Sequence, residues 1–291
     1  RAQRGPAFTL PMGWDSMLPG NGTIIRHAFD VENTSLYPGW WHTGENWYLD
    51  FDGNSAGAPV YAVSDGIVVF AGSEYPGRVV IVQHEGGIYS MYGHLDYALL
   101  VSEGDVVTRG QTIARVLDKT DGRSPSHLHF EIRSFLIESI VNGDAPWYDY
   151  ACGYRCPPGP GYWPMDSELL PTQVGWLNPL HVIYGRAYGP DIPAGAHVVA
   201  AQSPGTLPVR RSRTEPDSGT VTLEPGQRLS LLEIATGAEN TLETSASAYF
   251  VWVKVDLPDG DTGWLPAVRA TSDYVQSDGR PATVRVDLLL G

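Results

Sequence analysis

A chain of 291 residues with a net charge of −14 and a pI near 4.8 is poorly suited to binding nucleic-acid backbones. Its length allows sizeable cores and suggests about two domains. The 33 glycines and 23 prolines interrupt short runs rich in Val, Ile, Tyr and Trp, a texture of strands and tight turns rather than helices, and no apolar run approaches the ~20 residues that span a bilayer.

In chain order, residues 1–37 show no clear periodicity and are expected to form a leader segment packing on the domain that follows. The opening Arg1-Ala2-Gln3-Arg4 has no signal-peptide pattern, which leaves the compartment open. Asn21-Gly22-Thr23 and Asn33-Thr34-Ser35 match the glycosylation pattern, a match frequent by chance. The first dense segment is Trp40-Trp41-His42-Thr43-Gly44-Glu45-Asn46-Trp47-Tyr48-Leu49-Asp50-Phe51-Asp52. It offers His42 and Asp50 as metal-ligand residue types, among tryptophans that either wall a cleft or simply pack. Asp50, Asp52 and Asn54 imitate the opening of an EF-hand loop. Ser55 and Tyr61 stand where that loop needs Gly and Glu, so the calcium reading fails.

Short strand signals follow: Ala58–Val63, Ile67–Ala71 after Asp65-Gly66, Arg78–His84, Ile88–His94 after Gly86-Gly87, and Val106–Val116. Asp-Gly and Gly-Gly between apolar runs are hairpin signals. The set closes on Ser126-His127-Leu128-His129-Phe130-Glu131. In a strand, His127 and His129 share a face, with roughly 7 Å between their Cα atoms, while Leu128 and Phe130 point into a core. The pattern predicts an all-β protein, an antiparallel sandwich or open barrel. A His-x-His on a strand is also explained by an ordinary polar face. His27, His84, His181 and His197 have no partner spacing and read as structural or surface polar groups.

Cys152 and Cys156 lie in the Pro/Gly-rich stretch 151–161. A zinc ribbon would need a second such pair, so a small disulfide stapling the loop is the expectation, which favours an oxidising compartment. Residues 185–195 read as a linker. Beyond them, 196–291 holds a second β unit with runs at Leu207–Arg213, Leu223–Leu229, Phe250–Val255 and Gly263-Trp264-Leu265. Val209-Arg210, Glu224-Pro225-Gly226-Gln227 and Gly263-Trp264 resemble bacterial SH3-like domains, small β-barrels often attached to cell-wall hydrolases. Residues 271–291 are expected to extend that unit.

The order His42, Asp50, Gly57-Ala58-Pro59-Val60-Tyr61-Ala62, Asp65-Gly66, Tyr92-Gly93-His94-Leu95, Gly104-Asp105, Gly110-Gln111 and His127-Leu128-His129-Phe130-Glu131 resembles the M23 metallopeptidases. These are the lysostaphin- and LytM-type zinc endopeptidases that cut peptidoglycan cross-bridges or stem peptides. The resemblance spans about 38–135 and resumes at Trp176-Leu177-Asn178-Pro179-Leu180, like the family's closing turn. It implies a peptidase domain over 38–184 with an aromatic, Cys-containing insertion over about 136–175, lining the substrate groove or covering a sheet edge. Carried over by residue, it implies Zn2+ held by His42, Asp50 and His129, with His94 and His127 as the catalytic histidines. Three N/O ligands and an open fourth position suit a catalytic zinc that activates water. One departure stands out: the family usually spaces its first histidine and aspartate four apart, as His-x-Gly-x-Asp. Here Asp50 lies eight after His42, with Asp52 and Glu45 as rivals.

The implied function is a zinc endopeptidase acting on peptidoglycan peptides, secreted or in the cell envelope, with no nucleic-acid partner and an SH3-like module aiding wall binding. A non-catalytic wall-binding or hydrolase-activating protein is the alternative. Sugar-phosphotransfer carriers, which share a related β architecture and paired histidines, need no aspartate ligand.

Overall fold

The computed structural model describes residues 7–13, 23–34, 37–49, 55–72, 77–120, 122, 124–136, 161–188, 191–201, 205–213, 215–236, 251–270 and 283–291. Within them the protein is mostly antiparallel sheet, with two short helices at Pro171–Val174 and Pro179–Gly185. The main sheet starts at the edge strand Val106–Val107 and runs through Gly66–Gly72, Arg78–His84, Ile88–Leu95, Leu128–Arg133, Glu45–Tyr48 and Thr23–Arg26. It continues through Thr283–Val286, Thr262–Ala270, Val251–Asp256, Arg228–Thr236 and His197–Ala200 to Leu288–Leu290. Its two end strands do not pair with each other, so the path stays open among the described residues.

The local reasons are legible. Arg78–His84 and Ile88–Leu95 form a hairpin closed by His84 opposite Ile88, and Gly86 and Gly87 adopt φ of 81° and 72°, which glycine reaches without a Cβ clash. Val80 and Val82 face the main core, while Val79 and Ile81 join Met91 on the other face. The middle of this strand, Val79–Val82, is therefore apolar on both faces rather than alternating.

Asp65-Gly66, by contrast, is no hairpin turn. Pro59–Tyr61 pairs with Thr112–Arg115, and Gly66–Gly72 pairs with Arg78–His84 and Val106–Val107. A Cβ on Gly66 would stand 2.4 Å from the Gln83 carbonyl oxygen, so this glycine serves a close strand approach. The expected strand 106–116 accordingly divides between two sheets.

The N-terminal residues enter the fold in two places. Phe8, Leu10 and Met12 are buried where residues 7–13 run beside Tyr61–Ser64, with Thr9 N–H donating to Val63 O and Tyr61 N–H to Pro11 O. Thr23–Arg26 then inserts between Glu45–Tyr48 and Thr283–Val286. The sheet of the histidine-bearing half and that of residues 197–290 are thus one hydrogen-bonded surface. The ribbon of Thr206–Val209 and Gly219–Thr222 forms a separate two-stranded sheet, so the described residues of the second unit show no closed barrel.

Candidate metal centre

Leu128–Arg133 pairs with Glu45–Tyr48 on one side and with Ile88–Leu95 on the other, setting His129 opposite both Asn46 and Gly93. Directly paired residues share a face, so Asn46 and His129 project together. Glu45 is paired with Phe130 and faces the core, away from the histidines. There its carboxyl is pushed up to about 8 by burial, and one of its oxygens has no hydrogen-bond partner among the described residues. The chain reaches Glu45 from His42, at the end of Tyr37–His42, through Gly44. A Cβ on Gly44 would lie 2.5 Å from Phe130 O and 2.8 Å from Glu131 Cγ, so only glycine lets this segment pass so close to the His129 strand.

His42 Nε2 and His129 Nδ1 stand 3.1 Å apart in a buried setting, and Asn46 Oδ1 is 3.2 Å from the same Nδ1. His42 Nδ1 lies 3.0 Å from His27 O and 3.4 Å from Ala28 O. Carbonyls only accept, so Nδ1 carries the proton and Nε2 presents a lone pair. His129 Nε2 lies 3.0 Å from a Glu131 carboxylate oxygen and donates to it, while Nδ1 faces His42 Nε2 and Asn46 Oδ1. Burial, then the His129 and His27 rings, hold the His42 pKa well below its ordinary value, which keeps it neutral. A hydrogen on His129 Nδ1 is shared between the His42 Nε2 lone pair and Asn46 Oδ1, and its loss, which metal binding requires, turns both ring nitrogens toward one point. Two nitrogens on a tetrahedral zinc lie about 3.3 Å apart, given bond lengths near 2.0–2.1 Å. The donor set fits a cation.

Glu131 anchors this arrangement from below. It accepts from Thr43 Oγ1 at 2.8 Å, His129 Nε2 at 3.0 Å and Trp176 Nε1 at 3.0 Å, with Arg133 Nη1 at 3.8 Å. Burial alone would raise its pKa, but the His129 hydrogen bond and the Arg133 charge outweigh that and hold it low. The result is a carboxylate–histidine pair of the kind that fixes the tautomer of a metal-binding imidazole. Trp176 reaches it from the two-residue strand Trp176–Leu177, paired to Ile132 and Arg133, after which Asn178 caps Pro179–Gly185 by accepting from His181 N–H.

His127 precedes the strand rather than lying in it, since pairing begins at Leu128. Its Nδ1 donates to Pro125 O at 2.8 Å, and its ring meets His94 at 4.8 Å and Tyr48 at 5.1 Å between centroids. Burial, followed by the nearby His94, pushes its pKa well below the ordinary value. His94 is 6.1 Å from His129 and holds φ at 59°, a left-handed conformation uncommon outside glycine. His42, His94, His127 and His129 thus converge.

Asp50 and its rival Asp52 lie outside the described residues, as do Cys152 and Cys156. Among the described residues no three His, Cys, Asp or Glu side chains meet at a metal-holding distance. The oxygen facing the two histidines belongs to Asn46, and the signal for it was the four-residue step from His42 itself. His27, read from sequence as a structural or surface polar group, contributes its backbone: at φ 54° it turns its carbonyl onto His42. From the aromatic insertion, Tyr162–Pro164 pairs with the His42 strand, and the Tyr162 ring lies 5.2 Å from that of His42. In this part the insertion both covers a sheet edge and walls the site.

The profile of Peptidase family M23 matches residues 47–144. The chain is 40% identical over 81 residues to lipoprotein NlpD of Yersinia enterocolitica, covering 27% of this chain and 80% of that one. It is 39% identical over 77 residues to peptidoglycan DD-endopeptidase ShyB of Vibrio cholerae, covering 26% of this chain and 18% of the other. With murein hydrolase activator EnvC of Escherichia coli the identity is 42% over 82 residues, 28% of this chain and 19% of that protein. The chain therefore spans less than a fifth of the length of the last two. On the profile match and the likeness to NlpD over most of that sequence's length, this chain belongs to peptidase family M23.

Proposed function

We propose that the chain is a zinc-dependent endopeptidase hydrolysing amide bonds in peptidoglycan peptides, cross-bridge or stem, in the cell envelope or outside the cell. One observation carries this reading: His42 Nε2 and His129 Nδ1 face each other across 3.1 Å beside an amide oxygen, in ring contact with further histidines. His42 and His129 would hold the ion with one protein oxygen. The family resemblance favours Asp50 for that oxygen, and the strand register favours Asn46. Zinc bound there supplies a Lewis acid that polarises the scissile carbonyl and acidifies a water. His127, with Nδ1 committed to Pro125, keeps Nε2 to take a proton and return it to the leaving amine. His94 beside it holds a second proton or steadies the developing oxyanion. The unit over 196–291 is proposed to be SH3-like and to aid wall binding.

Release of new amino termini from purified cell walls tests the reading. Wild type releases them, and His94→Ala and His127→Ala each fall by about 10²-fold or more, the usual contribution of a positioned acid or base. Equal release by all three contradicts it. A second reading, a non-catalytic wall-binding or hydrolase-activating protein, is favoured by Asn46. An amide there leaves a bound ion without the carboxylate that the family spacing provides. No release by wild type that nonetheless co-sediments with walls would select it.

A further inference from the structure

We infer that Arg26 makes the sheet face beside the histidines a subsite for a peptide carboxylate, so that the chain selects a peptide with a free carboxylate near the scissile amide over an uncharged one. The inference rests on the reading above that the chain hydrolyses a peptide at these histidines. Arg26 lies directly opposite Asn46 in the pairing of Thr23–Arg26 with Glu45–Tyr48, and Asn46 lies opposite His129. The three side chains therefore stand in one row on one face of the sheet. The Arg26 guanidinium carbon sits 5.1 Å above the Tyr48 ring, whose centroid is 5.1 Å from that of His127. Arginine, tyrosine and histidine so form a continuous stack ending at the site.

The charge of Arg26 is not consumed locally. Among the described residues Arg26 has no ion pair, whereas Arg210, Arg269 and Arg285 each face an aspartate. In a chain of 33 acidic against 19 basic residues, this partly exposed arginine stands without an acidic partner among the described residues. A second cation, Lys119, acts on His127 from the neighbouring loop, where its ammonium donates to Ser124 Oγ at 2.7 Å. Glu131, the carboxylate beneath the site, is buried and committed to three donors and the Arg133 charge. Arg26 and Lys119 thus bring two cations beside the histidines in a molecule of net negative charge. A guanidinium fork seated on an aromatic ring is the group that takes a carboxylate in bidentate fashion.

The test is binding and cleavage of soluble stem peptides released from purified cell walls, as free carboxylates and after amidation of those carboxylates. Zinc-loaded wild type is expected to bind the carboxylate form about tenfold more tightly, the worth of a charged hydrogen bond. Arg26→Gln should lose that preference to within about twofold, while Arg26→Lys, which keeps the charge but not the fork, retains part of it. Equal binding of both forms by wild type, or an unchanged preference in Arg26→Gln, overturns the inference. Selective binding without any cleavage leaves Arg26 in its role and counts instead against the endopeptidase reading.

Discussion

At the scale of single residues, the site is decided by which ring nitrogens are turned toward one another. His42 is turned outward by the carbonyls of His27 and Ala28, and His129 by Glu131. Removing that last anchor has a defined consequence. Glu131→Gln, which keeps the shape but weakens the acceptor, should loosen zinc roughly 10- to 100-fold, read by competition with a chelating dye. Unchanged affinity would show that His129 needs no such orienting partner. Asn46 gives the opposite prediction. Asn46→Asp supplies an anionic oxygen in register with His129 and should tighten zinc, while Asp50→Ala leaves affinity unaltered if Asn46 is the third donor. Loss of metal in Asp50→Ala with none in Asn46→Ala would return the ligand to Asp50. The sequence made the four histidines legible because they recur in the order of a known family. It hid Asn46, because an amide is not a usual ligand type and attention passed to the next aspartate.

At the scale of elements, Leu128–Arg133 is buried on both faces: Leu128, Phe130 and Ile132 in the core, His129, Glu131 and Arg133 beneath the site. Its alternation was readable; that the polar face is also covered was not, because Trp176, Thr43 and Gly161 arrive from distant parts of the chain. Gly44→Ala should therefore damage metal binding more than its size suggests, since the new methyl would meet Phe130 O and Glu131. Phe130→Ala should cost about 3–5 kcal/mol of stability, read by urea unfolding.

Arg78–His84 carries a pH dependence. His84 is held between Asp65 O and the Ser90 hydroxyl, and burial lowers its pKa from 6.5. A depressed folded-state pKa means the unfolded chain takes up the proton first. Stability is then full above about pH 6.5 and declines as pH falls below it. His84→Asn should reduce that slope between pH 7 and 5 without abolishing it, because buried His42 and His127 also hold depressed pKa values; an unchanged slope would place the acid sensitivity in them.

At the scale of the whole molecule, the sequence suggested two β units in series, and the structure joins their sheets through Thr23–Arg26 and Thr283–Val286. No composition shift announces such a link, since it depends on residues more than 250 positions apart coming into register. Tyr184 adds a second tie by donating to Leu288 O at 2.7 Å. Zinc at 100 times its Kd should stabilise the fold by about 2.7 kcal/mol, and the continuous sheet should carry added amide protection into Val251–Asp256 as well as Glu45–Tyr48. Protection confined to the histidine strands would show that the two sheets unfold separately. All of this turns on whether the facing imidazoles are a metal site, and zinc bound per purified chain measures that most directly. The account predicts one equivalent in wild type, lost in both His42→Ala and His129→Ala. Wild type without stoichiometric zinc, or variants that bind it as wild type does, would contradict it.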